Sequence, residues 1–418
     1  LLVVGGPLAY AVLTKQHADE IEASLDATFV HLSTLVRAVD GGIRGLAEGP
    51  MRNDPYMLAA RLQATEGAIA ILDEVERDAA DFFARGDGRS RRASAALRRS
   101  RARLWFAHGD ALMDGGRCDD ALRSYAKHEA VFRAALETNA GDLRAIHGLG
   151  AVLGQTSRAR RRASRGMDAG VEPIEEASEF FELAIELQPD DVEAASNLAQ
   201  SLILSLNALE MSGRGDEQMG RVHRAIGIIA PIVSSGAASS IDRLRLAEAL
   251  LESVRLDPAG TSPTDRLVRL DRARSEIDLV LRADPSTVLA RHLSTEVELR
   301  SADALEDLGR SNDALARATA GRLACEARVA DVPDEVAFRS RLQSLVDLET
   351  VLIGRTGDVE RGLATLRAQL EDARDEFDGD PEDPLLGLEV ARRIANLLTR
   401  LKYADPLDED VIDEFEEL

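Results

Sequence analysis

Beyond the first residues, the apolar positions recur at steps of three and four, the period of one face of an α-helix. Ile21, Leu25, Phe29, Leu32, Val36 and Val39 form one such stripe, which Gly41-Gly42 closes. A second helix is predicted over 56–83, entered behind Asp54-Pro55 and stopped near Gly86, so this part reads as a helical hairpin. The run 1–14 is different in kind, because no charge interrupts it before Lys15. It is shorter than the roughly 20 residues that cross a bilayer, and the expectation is the C-terminal half of a truncated transmembrane helix. Ala9-Tyr10-Ala11 has the small-x-small form of a signal-peptide cleavage site, so a truncated signal peptide and an ordinary buried helix start stay open. On the first reading the chain is membrane-anchored with its helical region soluble, and the side of the membrane is open.

The chain also resembles itself. Residues 110–122 (DALMDGGRCDDAL) align with 303–315 (DALEDLGRSNDAL), with nine of thirteen positions identical. In each copy an apolar helix face runs into Gly-Arg (Gly116-Arg117, Gly309-Arg310), and an Asp then precedes Ala-Leu. Glycine permits the positive φ that ends a helix, and the Asp is expected to cap the next one, so each copy is a helix-turn-helix hairpin.

Trp105, Gly109, Gly116, Ala121 and Tyr125 stand at aromatic, small, turn, small and aromatic positions. Ala177, Phe181, Ala184 and Pro189, then Ala273, Ile277, Val280 and Pro285, repeat one spacing. On these residues the segment resembles a tetratricopeptide repeat. The resemblance implies an all-α fold, an α-solenoid of tetratricopeptide-like helix-turn-helix repeats over 89–402, preceded by the hairpin or stalk at 15–88 and followed by an acidic tail at 403–418. It implies an inner groove lined by first-helix residues: Arg103, Phe106, Asp110 and Met113 in one unit, Glu296, Leu299, Asp303 and Glu306 in another. Such a lining suits a protein or peptide ligand, and Asp110→Ala and Asp303→Ala are expected to spare the fold while weakening that ligand. It departs from the Lys/Asn arrangement with which some family members clamp a C-terminal carboxylate. The helix from Asp120 is expected to run on to Leu136, an Arg-rich insertion to follow Gly154, and an enlarged turn to lie at 211–216.

Extended second helices after a membrane segment are similar in layout to the C-terminal portion of some bacterial membrane-anchored Ser/Thr protein kinases. That resemblance implies a sensor or docking half whose catalytic domain lies upstream; 1–418 itself holds no Gly-rich phosphate loop with a strand lysine, no His-Arg-Asp and no Asp-Phe-Gly. The first expectation is a non-catalytic interaction or scaffolding module, and an oligomerisation module is the third reading.

Composition narrows the partners. A net charge of -23 disfavours nucleic acid and anionic lipid, and residues 371–418 carry 17 acidic against 5 basic side chains. Aromatics at 4% with abundant Ala, Leu, Arg and Glu exclude an all-β fold. Cys118 and Cys325 stand too far apart in sequence for a disulfide framework or zinc site and read as small apolar residues. No histidine pair has the spacing of a zinc helix, Gly148-Leu-Gly-Ala-Val-Leu-Gly154 reads as helix packing and a helix stop, and no metal or cofactor is expected. Asp378, Asp380, Glu382 and Glu389 take calcium-loop positions, but Asp383 stands where the loop needs glycine, which favours a solvated acidic turn. The arginine clusters at 89–103 and 158–165 are read as pairing with this acidic chain, an acidic partner being the functional alternative. Trp105 is expected in the core.

Overall fold

The computed structural model describes residues 58–163, 169–236, 238–257, 260–331 and 336–356. The uncharged run 1–14 expected to be part of a membrane segment, the first helix stripe, the calcium-like positions and the acidic tail lie outside them. Among the described residues every regular element is helical, and no helix is long and apolar enough to cross a membrane. The chain divides into two compact units, one ending at Gln218 and the other beginning at Met219.

The first unit runs α1 (Leu58–Asp78), α2 (Ala80–Ala84), α3 (Gly88–Asp114), α4 (Cys118–Thr138), α5 (Leu143–Arg162), α6 (Val171–Leu187) and α7 (Val192–Met211), with a 3-10 turn at Gly215–Glu217. The second runs α8 (Gln218–Ser234), α9 (Ser240–Leu256), α10 (Pro263–Ala283), α11 (Val288–Asp307), α12 (Ser311–Asp331) and α13 (Val336–Arg355). Consecutive helices pack as helix-turn-helix pairs from α3 through α7 in the first unit and from α9 through α13 in the second, the all-α solenoid class expected from the sequence.

Two local devices alternate. After α3 and α11, Gly116 and Gly309 adopt φ of 72° and 70°. The Arg117 amide then donates to the Leu112 carbonyl at 2.9 Å and the Arg310 amide to the Leu305 carbonyl at 2.9 Å, closing the helix ends. The Asp of each copy does not cap. It sits inside the first turn and accepts from the turn's arginine, Arg117 to Asp120 at 2.8 Å and Arg310 to Asp313 at 2.7 Å. The carboxylate still favours the helix N-terminus through the dipole. Gly213-Arg214 repeats the device with Glu217, a third copy hidden from alignment because the residues around it differ.

The second device links one pair to the next. Gln188 and Asp284 turn to extended backbone before Pro189 and Pro285, because proline crowds the preceding residue out of the helical region. The following helix is capped by Asp191, whose side chain accepts the Ala194 amide at 2.9 Å. Asp142 caps α5 in the same way.

Packing is between near neighbours. Ile69, Leu72, Leu97 and Leu104 join α1 to α3, and Ala102, Phe132, Ala145 and Leu149 join α3, α4 and α5. Ile146, Ala184 and Ala194 join α5, α6 and α7. In the second unit Ala302, Leu305, Ala314, Ala318, Leu348 and Leu352 do the same for α11, α12 and α13. No pair buries its faces alone, so each depends on the next. Ala121, Ala177, Ala273 and Ala314 are all fully buried, as the notch positions require. Trp105 is only half-buried, with the Lys127 ammonium 3.7 Å from its ring centroid. The expected helix stop at Gly154 does not occur: α5 continues to Arg162, because Gln, Ala and Arg are strong helix formers and Arg160 to Arg162 complement the C-terminal dipole.

Candidate functional site

The Asp87 carboxylate caps α3 by accepting the amides of Arg89 and Ser90, and fixes a helix that presents Ala96, Arg99, Ser100 and Arg103 at steps of three and four on one face. The last turns of α4 bring His128 and Phe132 against that face. The first turns of α5 add Leu143, Arg144, His147 and Gly148, and the link into α7 adds Gln188, Asp191 and Glu193. Together they line an open cleft of about 660 Å³ within the first unit, in the size range of small-ligand and side-chain pockets. A Cβ on Gly148 would meet the Phe132 ring at 2.9 Å, so glycine is what lets this ring lie on α5.

Two histidines stand in the wall. His128 is 4% exposed, its ring centroid lies 4.8 Å from that of Phe132 and 5.2 Å from that of Phe106, and its Nδ1 has no hydrogen-bond partner. Burial pushes its imidazole down to about 4. His147 Nε2 lies 2.8 Å from Asp191 Oδ2, and its Nδ1 is also buried without a partner. Facing a carboxylate, Nε2 carries the proton. Burial pushes the Asp191 carboxyl up, but the Ala194 amide and His147 outweigh it and hold the group below its ordinary value.

The His128 shift has a measurable consequence. Between its unfolded value of 6.5 and its folded value of about 4 the unfolded chain takes up a proton that the folded chain refuses. Stability therefore falls as pH drops through that window, by up to about 3 kcal/mol from this group. His128→Phe is expected to remove that component, so wild type and variant compared by urea midpoint at pH 7 and pH 4.5 should differ in slope. Equal pH dependence in the two proteins refutes the assignment.

Of the residues expected to line a groove, Arg103 alone reaches this cleft. Phe106 is half-buried against the Tyr125 and His128 rings. Asp110 accepts the Tyr125 hydroxyl at 2.7 Å, and Tyr125 is fully buried, so Asp110→Ala strips a buried hydroxyl of its acceptor instead of sparing the fold. Burial and the Asp110 charge raise the Tyr125 hydroxyl well above its ordinary value. Met113 is buried. In the second unit Glu296 pairs with Arg300 and with Arg341 of α13 at 2.6 Å, Glu306 pairs with Arg355, and Leu299 packs into the core. Asp303 is half-buried. That acidic face is neutralised from within. Arg99, Arg144, His128 and His147 were not singled out as site residues; the one signal in the sequence was the arginine run on α3, read there as surface pairing. No cluster of metal-ligating side chains occurs among the described residues.

No protein-family model matches the chain, and no curated protein matches it in sequence. Among solved structures, a thermophilic TPR protein of Thermus thermophilus is similar over 59% of this chain and 98% of its own, at 16% identity and a TM-score of 0.33. RapI in its apo form is similar over 91% of this chain and 98% of its own, at 11% identity and a TM-score of 0.41.

Proposed function

We propose that this chain is a non-catalytic interaction module that holds a peptide segment of a partner protein in the cleft of its first unit. The observation that carries the reading is the cleft itself: α3, α4, α5 and the link into α7 leave an open, part-apolar, part-charged space between them. Rigid helices rather than loops supply most of its wall, which suits recognition without a large ordering cost. The tetratricopeptide resemblance at Trp105, Gly109, Gly116, Ala121 and Tyr125 supports the same class of function. Attachment to a membrane through residues 1–14 belongs to the proposal and rests on their uncharged run. A role as the docking half of a Ser/Thr kinase rests on layout alone.

The test is selection from a displayed random-peptide library, followed by measurement on Ala96→Trp. Ala96 is a half-buried cleft residue, and an indole there fills the space while leaving the helix intact. Selected peptides are expected to lose binding at least ten-fold to the variant. Peptides that bind both proteins equally, with unchanged circular dichroism, place recognition elsewhere.

A further inference from the structure

We infer that the group recognised in this cleft is an oxyanion on a peptide side chain, a carboxylate or a phosphate, held between Arg99 of α3 and Arg144 of α5, with an apolar neighbour seated on Phe132 and Leu143. The inference rests on the cleft being the peptide site and names what that site selects.

Charge accounting points there. Many arginines of this acidic chain are consumed internally. Arg101 pairs with Asp73 and Glu76, Arg133 with Glu129 and Glu176, Arg274 with Asp271 and Glu298, and Arg322 with Glu326 and Glu349. Arg99 and Arg144 have no ion-pair partner among the described residues, although both line one cavity in a protein of net charge -23. They come from different helices, so their presence in one cleft is a property of the fold. Arg103 stands one turn along α3 from Arg99, its guanidinium 3.2 Å from Ser100 Oγ. The carboxylates at the rim offset them only in part: Asp191 is engaged by His147 and the Ala194 amide, and Glu193 is exposed.

A second observation is independent of charge. Phe132 and Leu143 line the same cavity and give its wall an apolar part. A peptide supplies both halves, an apolar side chain for that part and an oxyanion for the guanidinium forks, which bind planar oxyanions through paired hydrogen bonds.

The test uses three acetylated and C-amidated hexapeptides carrying an uncharged BODIPY dye that place Glu, Gln or phosphoserine beside Phe, so that no terminal or dye carboxylate contributes. Fluorescence anisotropy at low salt is expected to give at least ten-fold tighter binding for the Glu or the phosphoserine peptide than for Gln. Competition by inorganic phosphate and a phosphoserine affinity above that of Glu identify phosphate as the source, and the reverse order identifies carboxylate. Arg99→Gln and Arg144→Gln are each expected to weaken the anionic peptides about ten-fold and leave the Gln peptide unchanged; neither guanidinium holds an internal ion pair whose loss would unfold the chain. Equal affinity for Glu, phosphoserine and Gln, with all three blocked by Ala96→Trp, overturns the oxyanion inference and keeps the peptide cleft. Absence of binding by all three overturns both.

Discussion

Ala314→Asp is expected to lower the stability of its unit by about 4 kcal/mol, and Ala121→Asp to do the same in the other unit, because each buries an unpaired carboxylate between helices. Both alanines are fully buried. Ala314 lies in the apolar cluster of Ala302, Leu305, Ala318, Leu348 and Leu352. The chain answers such a charge by protonating it or by opening the helix pair, and either shows as a shifted urea midpoint and lost helical ellipticity. Ala→Ser at the same positions, smaller and neutral, should cost far less. Unchanged midpoints in both Asp variants would place these residues away from the helix interface and undo the packing scheme.

The second large effect comes from the notches in α3 and α5. A Cβ on Gly150 would lie 2.5 Å from the Phe181 ring, and one on Gly109 would lie 2.4 Å from the Tyr125 ring. Neither ring has room to retreat. Phe181 is 3% exposed between the fully buried Ala177 and Ala184, and Tyr125 is fully buried with its hydroxyl on Asp110. Gly150→Leu is therefore expected to destabilise the first unit by about 3 kcal/mol through overpacking, even though leucine is the better helix former. Gly67, on α1 with nothing within 4 Å of its Cβ position, is the control. Gly67→Ala should stabilise by about 1 kcal/mol, the helix-propensity difference alone. Thermal melts of the two variants should move in opposite directions; a neutral Gly150→Leu means that α5 and α6 do not approach closely.

How these residues read in sequence explains which expectations held. Gly116 and Gly309 were legible because a helix end that requires positive φ leaves a glycine behind, followed in both copies by the same arginine. Pro189 and Pro285 were legible for a similar reason, as each forces its predecessor out of the helix. Asp120 and Asp313 misled about capping, since an acidic residue in the first turn and one at the cap are equally good company for a helix dipole. The groove residues fared differently. Their face of the helix was identifiable from spacing, but Asp110 is held by a tyrosine fifteen residues away, and Glu296 and Glu306 by arginines of α13.

By itself the sequence determined the helical class, the turn positions and the small residues at the helix contacts, because each is a preference of the local backbone or a period along one helix. Only the tertiary structure decided which charges stay available. Arg99 and Arg101 stand two residues apart in one basic run, yet the helix turns them to different faces: Arg101 meets Asp73 and Glu76 of α1, while Arg99 meets a cavity that it shares with Arg144. The division at Gln218 was hidden in the same way. Whether a guanidinium is spent on the fold or left for a ligand depends on what neighbouring helices bring within a few ångströms, and that distance is not written in any one stretch of the chain.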